Sequence, residues 1–449
     1  MAFEEQLQGM CDALRAHNAI APASWARYDV KRGLRNADGT GVMAGLTKIC
    51  SVDGYYVKDG ERLSSPGRLF YRGYDVAQLI NGAAAENRFG YEESAWLLLL
   101  GALPTAEELL RFRQILAMHR ELPEGFIEDI LMKNPSPDIM NKLARAVLSL
   151  YAADPQADDT SIENVLRQSV LLIACLPAIM TYAWQVKRRA YYKKSMYLHS
   201  MKAEHSTAET ILRTIRPDKQ FTDEEAKLLD VCLVLHADHG GGNNSTFATR
   251  VLTSSGTDTY AALAAGIGSL KGPLHGGANI RVTRMLQYMR EGIANITDEG
   301  QVADFLVKLL RKQAGDGSGK IYGMGHAVYT ISDPRAQILK ARARSFAQVR
   351  GFNDQFRLLE LIEQLTPEVF AQEKGSTKEL CANVDLYSGL IYEMLGIPED
   401  LYTPIFALAR TAGWCAHRLE ELQTGGRIIR PAYKSVAGHR DYVPLTERS

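Results

Sequence analysis

Between residues 405 and 419 the chain is apolar or small on nearly every side of a helical turn, and from 405 to 414 its one charge is Arg410. A helix apolar all round lies inside a large core. A guanidinium carried into that core costs several kcal/mol unless it meets an anion. This segment therefore demands two things: enough surrounding protein to enclose a helix, and an anion delivered to its middle. The anion is either a protein carboxylate or an anionic substrate held in the fork that Arg offers. The 449 residues suffice for the first demand, with two or three domains at roughly 150 residues each.

Helical spacing of apolar residues dominates elsewhere, at 94–100, 140–151, 226–235, 302–310 and 356–365. Strand-like alternation is scarce. The best strand candidate is 45–58, followed by a short one at 68–72. The reading is a mainly α fold with a small N-terminal β element. The longest apolar run, 170–184, is shorter than the ~20 residues of a membrane span and contains Pro177, so it reads as a kinked core helix rather than a membrane segment. The basic residues after it, Lys187 to Arg189 with Lys193 and Lys194, read as a solvated helix end.

Lys plus Arg and Asp plus Glu each number 52, so no general attraction to nucleic acid or anionic membrane is expected and any anion site must be local. The six cysteines form no CxxC pair and sit mostly in apolar stretches, as reduced buried thiols do. With no secretory pattern in the first residues, the expected setting is cytoplasmic.

Four of the ten histidines lie in Gly-rich or charged contexts: His236, His239, His275 and His326. Catalytic groups favour such positioned loops. The other six, His17, His119, His199, His205, His417 and His439, read as structural or surface residues. His275 precedes Gly276-Gly277 and a helix expected from about Ala278. The positive end of that helix should lower its pKa and leave a neutral imidazole able to donate to an oxyanion. Asp385 poses the same question as Arg410, a charge in a semi-apolar stretch. Arg335 and Arg430 are stiffened by neighbouring prolines. Several His, three Arg and one Asp suit a small di- or tricarboxylate, proton abstraction and an oxyanion.

These residues lie in six motifs: Leu235-His-Ala-Asp-His-Gly-Gly-Gly-Asn243, Gly272-Pro-Leu-His-Gly-Gly-Ala-Asn279, Gly323-Met-Gly-His-Ala-Val-Tyr329, Asp333-Pro-Arg335, Asn383-Val-Asp-Leu-Tyr-Ser-Gly389 and Phe406-Ala-Leu-Ala-Arg-Thr-Ala-Gly-Trp414. In kind and order they resemble the citrate synthase family, with weaker similarity back to Tyr71-Arg-Gly-Tyr-Asp75. The resemblance covers about 45–431, and nothing is carried over from 185–234.

The resemblance implies condensation of acetyl-CoA with oxaloacetate and water to citrate and CoA. Asp385 would take a proton from the acetyl methyl, His275 would donate to the thioester oxygen, and His326 would polarise the ketone of oxaloacetate. His239, Asn243, Arg335, Arg410 and Arg430 would hold oxaloacetate. Gly317, Lys320, Gly323, Gly325 and Ala327 would line the CoA side. The family implies no metal and no tightly bound cofactor. It implies a homodimer with Arg430 entering the partner's site, and a large domain of 1–276 and 386–449 enclosing a small domain of 277–385. Two departures stand out: Gly240 replaces a Glu of some members, and Ala327 an Arg of many bacterial ones. Two rival readings are a 2-methylcitrate synthase using propionyl-CoA and a metal-dependent hydrolase built on His236, Asp238 and His239. A helical binding scaffold would show no CoA release.

Overall fold

The β element forms where β-branched and aromatic residues lie between turns. It is a three-stranded antiparallel meander of β1 (Cys50–Lys58), β2 (Glu61–Tyr71) and β3 (Tyr74–Asp75). The structure is a computed structural model that describes residues 3–59, 61–375 and 379–448. The first strand starts five residues later than expected from the sequence, and the second is more than twice as long. The cause is a bulge: Asp53 pairs with Arg68 and Tyr55 with Ser64, so Gly54 faces Ser65, Pro66 and Gly67 together. Pro66 has no N–H to give a ladder, and a bulge tolerates that. The residues that make the bulge also hide the strand from a propensity reading.

Contacts divide the chain into two units, Met1–Ala44 with Ile429–Ser449, and Gly45–Ile428. The first holds helices Phe3–Asn18 and Ala23–Arg27 and an isolated bridge between Arg35 and Gly41. The second contains the sheet and the large helical core.

Within the second unit, α1 (Ile162–Ala190), α2 (Asp223–His236), α3 (Asn244–Ser254), α4 (Thr259–Lys271), α5 (Ala278–Gly292), α6 (Pro334–Arg350), α7 (Val384–Met394) and α8 (Tyr402–Gln423) position the site. Each of the five periodic segments falls in a helix. For example, 226–235 lies in α2, and 356–365 lies in the helix Asn353–Lys374. The helix α8 packs against α1, α2, α3 and α4, and every residue from Tyr402 to Leu419 is buried. Its contact with the end of α2 is made through backbone. Gly413 N–H donates to Ala237 O at 3.2 Å, and a Cβ at 413 would stand 2.5 Å from that oxygen. Any side chain there would push α8 away from the residues that follow α2.

Two expectations about α1 need correcting. The helix extends well beyond the apolar run to 29 residues, long and apolar enough to cross a membrane by length and composition alone. Its placement is decided by packing instead, since 89% of its most apolar window is buried within the protein. Lys187 is not a solvated end. It is buried, and Nζ reaches Asp400 at 2.5 Å. All six cysteines are free, and all but Cys11 are buried.

Candidate active site

One wall is built from the end of α2 and the face of α8. After His236 the chain turns, with Asp238 Oδ1 accepting the N–H groups of His239 (2.7 Å) and Gly240 (3.2 Å). Asn243 then caps α3, its Oδ1 accepting from Ser245 N and from Ser245 Oγ at 2.9 Å. The turn buries His239 with Nε2 unpartnered. Arg410 lies beneath it at 0% exposure. Its Nε donates to His236 O at 2.7 Å, while Nη1 and Nη2 meet no hydrogen-bond partner among the described residues. No protein carboxylate therefore fills the fork of Arg410.

The opposite wall is two loops stitched together. Gly325 N–H donates to Cys381 O and Asn383 N–H to Gly323 O, each at 2.8 Å, and Asn383 Nδ2 donates to Gly325 O at 2.9 Å. Asn383 also caps α7 by accepting from Asp385 N at 3.0 Å. One side chain thus ties the loop before His326 to the helix start that bears Asp385. His326 Nδ1 accepts from Val328 N and Tyr329 N at 3.1 Å. An accepting Nδ1 places the proton of a neutral ring on Nε2. Tyr329 stacks on His326 with centroids 4.7 Å apart, and His239 meets His326 edge-on at 5.2 Å.

The sheet holds this loop from outside. Gly67 N–H donates to Ser332 Oγ at 3.1 Å, and a Cβ at Gly67 would come within 2.1 Å of Ser332 O. Past Ser332, Asp333 caps α6 by accepting from Arg335 N at 3.0 Å. It also holds the guanidinium in a two-pronged pair, Nε to Oδ1 at 3.0 Å and Nη2 to Oδ2 at 2.7 Å.

Electrostatics follow from burial. His275 is pushed down to about 4 by burial and then by the charge of Arg410. The helix start at Ala278 is where it was expected. His239 is held well below the ordinary range by burial, Arg335, His326 and Arg410. Asp385 rises to about 6 through burial, opposed by Arg335 and assisted by Asp333. Neutral imidazoles therefore face two arginines and one carboxylate that is more basic than usual.

The hydroxyl of Ser245 links His275 to the α8 wall. It lies 3.0 Å from His275 Nε2 and accepts from Trp414 Nε1 at 3.2 Å. Of the expected CoA residues, Lys320, Gly323 and Gly325 line a cleft of about 440 Å³ with Leu274, Arg281 and Asn383; Gly317 and Ala327 do not line it. Arg430 lies exposed in the unit formed by the chain ends.

The sequence reading does not single out Ser245 or Tyr329, takes Asp238 only as a metal ligand of the rival reading, and does not connect it with His417. By sequence the last reads as structural, although it follows Arg410 by seven positions and so shares its helix face. Its Nε2 donates to Asp238 Oδ2 at 2.8 Å. With Oδ1 held by backbone N–H groups, Asp238 is turned toward α8. The triad His236, Asp238 and His239 is thus not assembled as a ligand set.

The family model described as "Citrate synthase, C-terminal domain" matches residues 36–432. A citrate synthase of Haloferax volcanii is 33% identical over 426 residues, covering 94% of this chain and 99% of that protein. A 2-methylcitrate synthase of Shewanella oneidensis is 32% identical, covering 85% of this chain and 92% of that protein. Among solved structures, the ternary complex of carboxymethyl coenzyme A and oxaloacetate with citrate synthase from Thermoplasma acidophilum superposes with a TM-score of 0.74. It is 25% identical and covers 93% of this chain and 99% of that one.

Proposed function

Because the chain belongs to the citrate synthase family, we propose that the two walls divide the work of its reaction, the α8 wall holding oxaloacetate and the stitched loops carrying the chemistry. The protein condenses acetyl-CoA with oxaloacetate and water, giving citrate and CoA. The observation that carries the division is the open fork of Arg410. Two buried donors with no protein partner are costly until a carboxylate reaches them, and oxaloacetate brings two. Arg335 and His239 complete that grip.

His326 presents Nε2–H to the ketone oxygen and makes the carbon electrophilic. Asp385, with its raised pKa, removes a methyl proton from the acetyl thioester. The thioester oxygen gains charge as the proton leaves. His275 meets that charge when Ser245 donates to its Nε2, because the ring proton is then on Nδ1 and available to the substrate. Asn243 Oδ1 keeps a donor in that arrangement, the N–H of Ser245. Carbon–carbon bond formation gives citryl-CoA, and hydrolysis releases citrate and CoA. The cleft holding Lys320 and Arg281 takes the CoA arm, with residues 277–385 closing as a small domain.

The active form in this reading is a cytoplasmic homodimer in which Arg430 serves the second copy's site. A mixture of Asp385→Asn and Arg430→Leu chains should then recover activity in about a quarter of its sites, since half the dimers are mixed and one site in each is intact. Confirmed heterodimers without activity would return Arg430 to its own chain. The reading as a whole is tested by thiol release from acetyl-CoA or propionyl-CoA with oxaloacetate, with and without EDTA. Faster release from acetyl-CoA, undiminished by EDTA, is expected. Preference for propionyl-CoA would make the protein a 2-methylcitrate synthase, and no release would remove the reading.

A further inference from the structure

Two buried arginines of this site are treated differently. Arg335 is gripped by Asp333 through two hydrogen bonds. Arg410 has a buried carboxylate near it, Asp238 at 0% exposure, that does not touch it. Asp238 sits against α8 at Gly413, one turn beyond Arg410, where a Cβ would lie 3.0 Å from its own Cβ. Burial works against the charge of Arg410, and Asp238 is the strongest influence in its favour.

We propose that His417 is a positioning residue for oxaloacetate: it holds the Asp238 carboxylate where it balances Arg410 electrostatically while leaving the fork of Arg410 open. The inference rests on oxaloacetate being the ligand of that fork.

The hydrogen bonds set the direction of the clamp. Arg250 Nη2 donates to His417 Nδ1 at 2.7 Å. A guanidinium only donates, so Nδ1 must accept and the proton lies on Nε2, aimed at Asp238. Arg250 is itself held by Glu420 and by Glu421, the latter at 2.7 Å. The chain of contacts from the glutamates through Arg250 and His417 to Asp238 is oriented throughout. On the far side, Asp238 Oδ1 takes the N–H groups of His239 and Gly240. Without the His417 N–H, Oδ2 would be buried with no partner. The terminal nitrogens of Arg410, whose charge already acts on Asp238, are donors without a partner. Asp238 would then do to Arg410 what Asp333 does to Arg335, and the substrate carboxylate would face a rival inside the protein.

The test compares substitutions at 417 by steady-state kinetics and direct oxaloacetate binding. His417→Leu removes the donor. The KM for oxaloacetate should rise about tenfold or more, while kcat and the KM for acetyl-CoA stay within about twofold. His417→Gln, which keeps one acceptor and one donor at similar reach, should recover most of the loss. In the Asp238→Asn background the same His417→Leu change should add almost nothing, because no carboxylate is left to move.

An unchanged oxaloacetate KM in His417→Leu would overturn the proposal. So would parallel loss of kcat and both KM values in the Leu and Gln variants alike, the mark of a merely structural role. If His417→Leu does not fold, His417→Asn takes its place with the same expectation, since it draws the donor back from Asp238. Wild-type enzyme in the same assay separates the two levels. No CoA release there fails the functional reading, whereas normal release with indifferent 417 variants fails this inference alone.

Discussion

The α8 wall and the stitched-loop wall of the candidate site are built with opposite kinds of order. The α8 wall is a helix buried from Tyr402 to Leu419 whose central charge has been left without a protein carboxylate. The loop wall depends on turns, on one asparagine that spans two segments, and on groups whose partners fix the tautomer or whose burial raises basicity. A rigid, unsatisfied surface is suited to recognition, because its cost falls only when the right anion arrives. Locally satisfied loops are suited to reaction, because each group is already in the protonation state its step requires.

The largest expected effect lies on the loop wall. Asp385→Asn keeps the shape but removes the base, so turnover should fall by about two orders of magnitude or more. Oxaloacetate binding, followed by calorimetry, should persist. Loss of both together would erase the division between the walls. Arg410→Met is the counterpart. It should weaken oxaloacetate by about one to two orders of magnitude, the scale of a lost charge-assisted pair, with a smaller change in kcat at saturation. A purely kcat defect would invert the assignment.

The pH dependence of the wild-type enzyme sharpens the comparison. In the proposed reaction Asp385 acts as its anion, and its pKa is raised to about 6. The rate at saturating substrates should therefore rise from pH 5 to 7 and flatten above, while Asp385→Asn loses that limb. His275, at about 4, stays neutral throughout that range. The smallest effect is expected from Asn383→Ala, which cuts the stitch to Gly325 O and the cap of α7. A loss of a few-fold in kcat with oxaloacetate KM preserved would show the loop wall acting as one piece.

The two walls were also unequally legible in the sequence. Arg410 announced itself because a lone charge in an apolar helix is a local contradiction, visible without the fold. Asp385 and His326 could be picked out by their motifs, yet the residue that joins them, Asn383, reveals its second role only when Gly325 is beside it. His417 was passed over for the same reason: its meaning depends on Asp238, which lies far away in the chain. The helices were readable because periodicity is a repeated signal. The strand β2 was shortened in the reading because Pro66 and Gly67 look like its end and are instead its bulge. For His275 the expected lowering is present, but burial and Arg410 contribute to it through packing that no local motif records.

The empty fork of Arg410 also bears on how long the protein lasts. Buried donors without partners cost about 1–3 kcal/mol each, a sizeable part of the 5–15 kcal/mol that ordinarily separates folded from unfolded chains. A ligand that binds only the folded form adds stability in proportion to the logarithm of its concentration, about 2.7 kcal/mol at a hundred times its Kd. With oxaloacetate as the anion that fills this fork, as proposed, it is a guardian of the fold as well as a reactant, and the melting temperature should rise with its concentration.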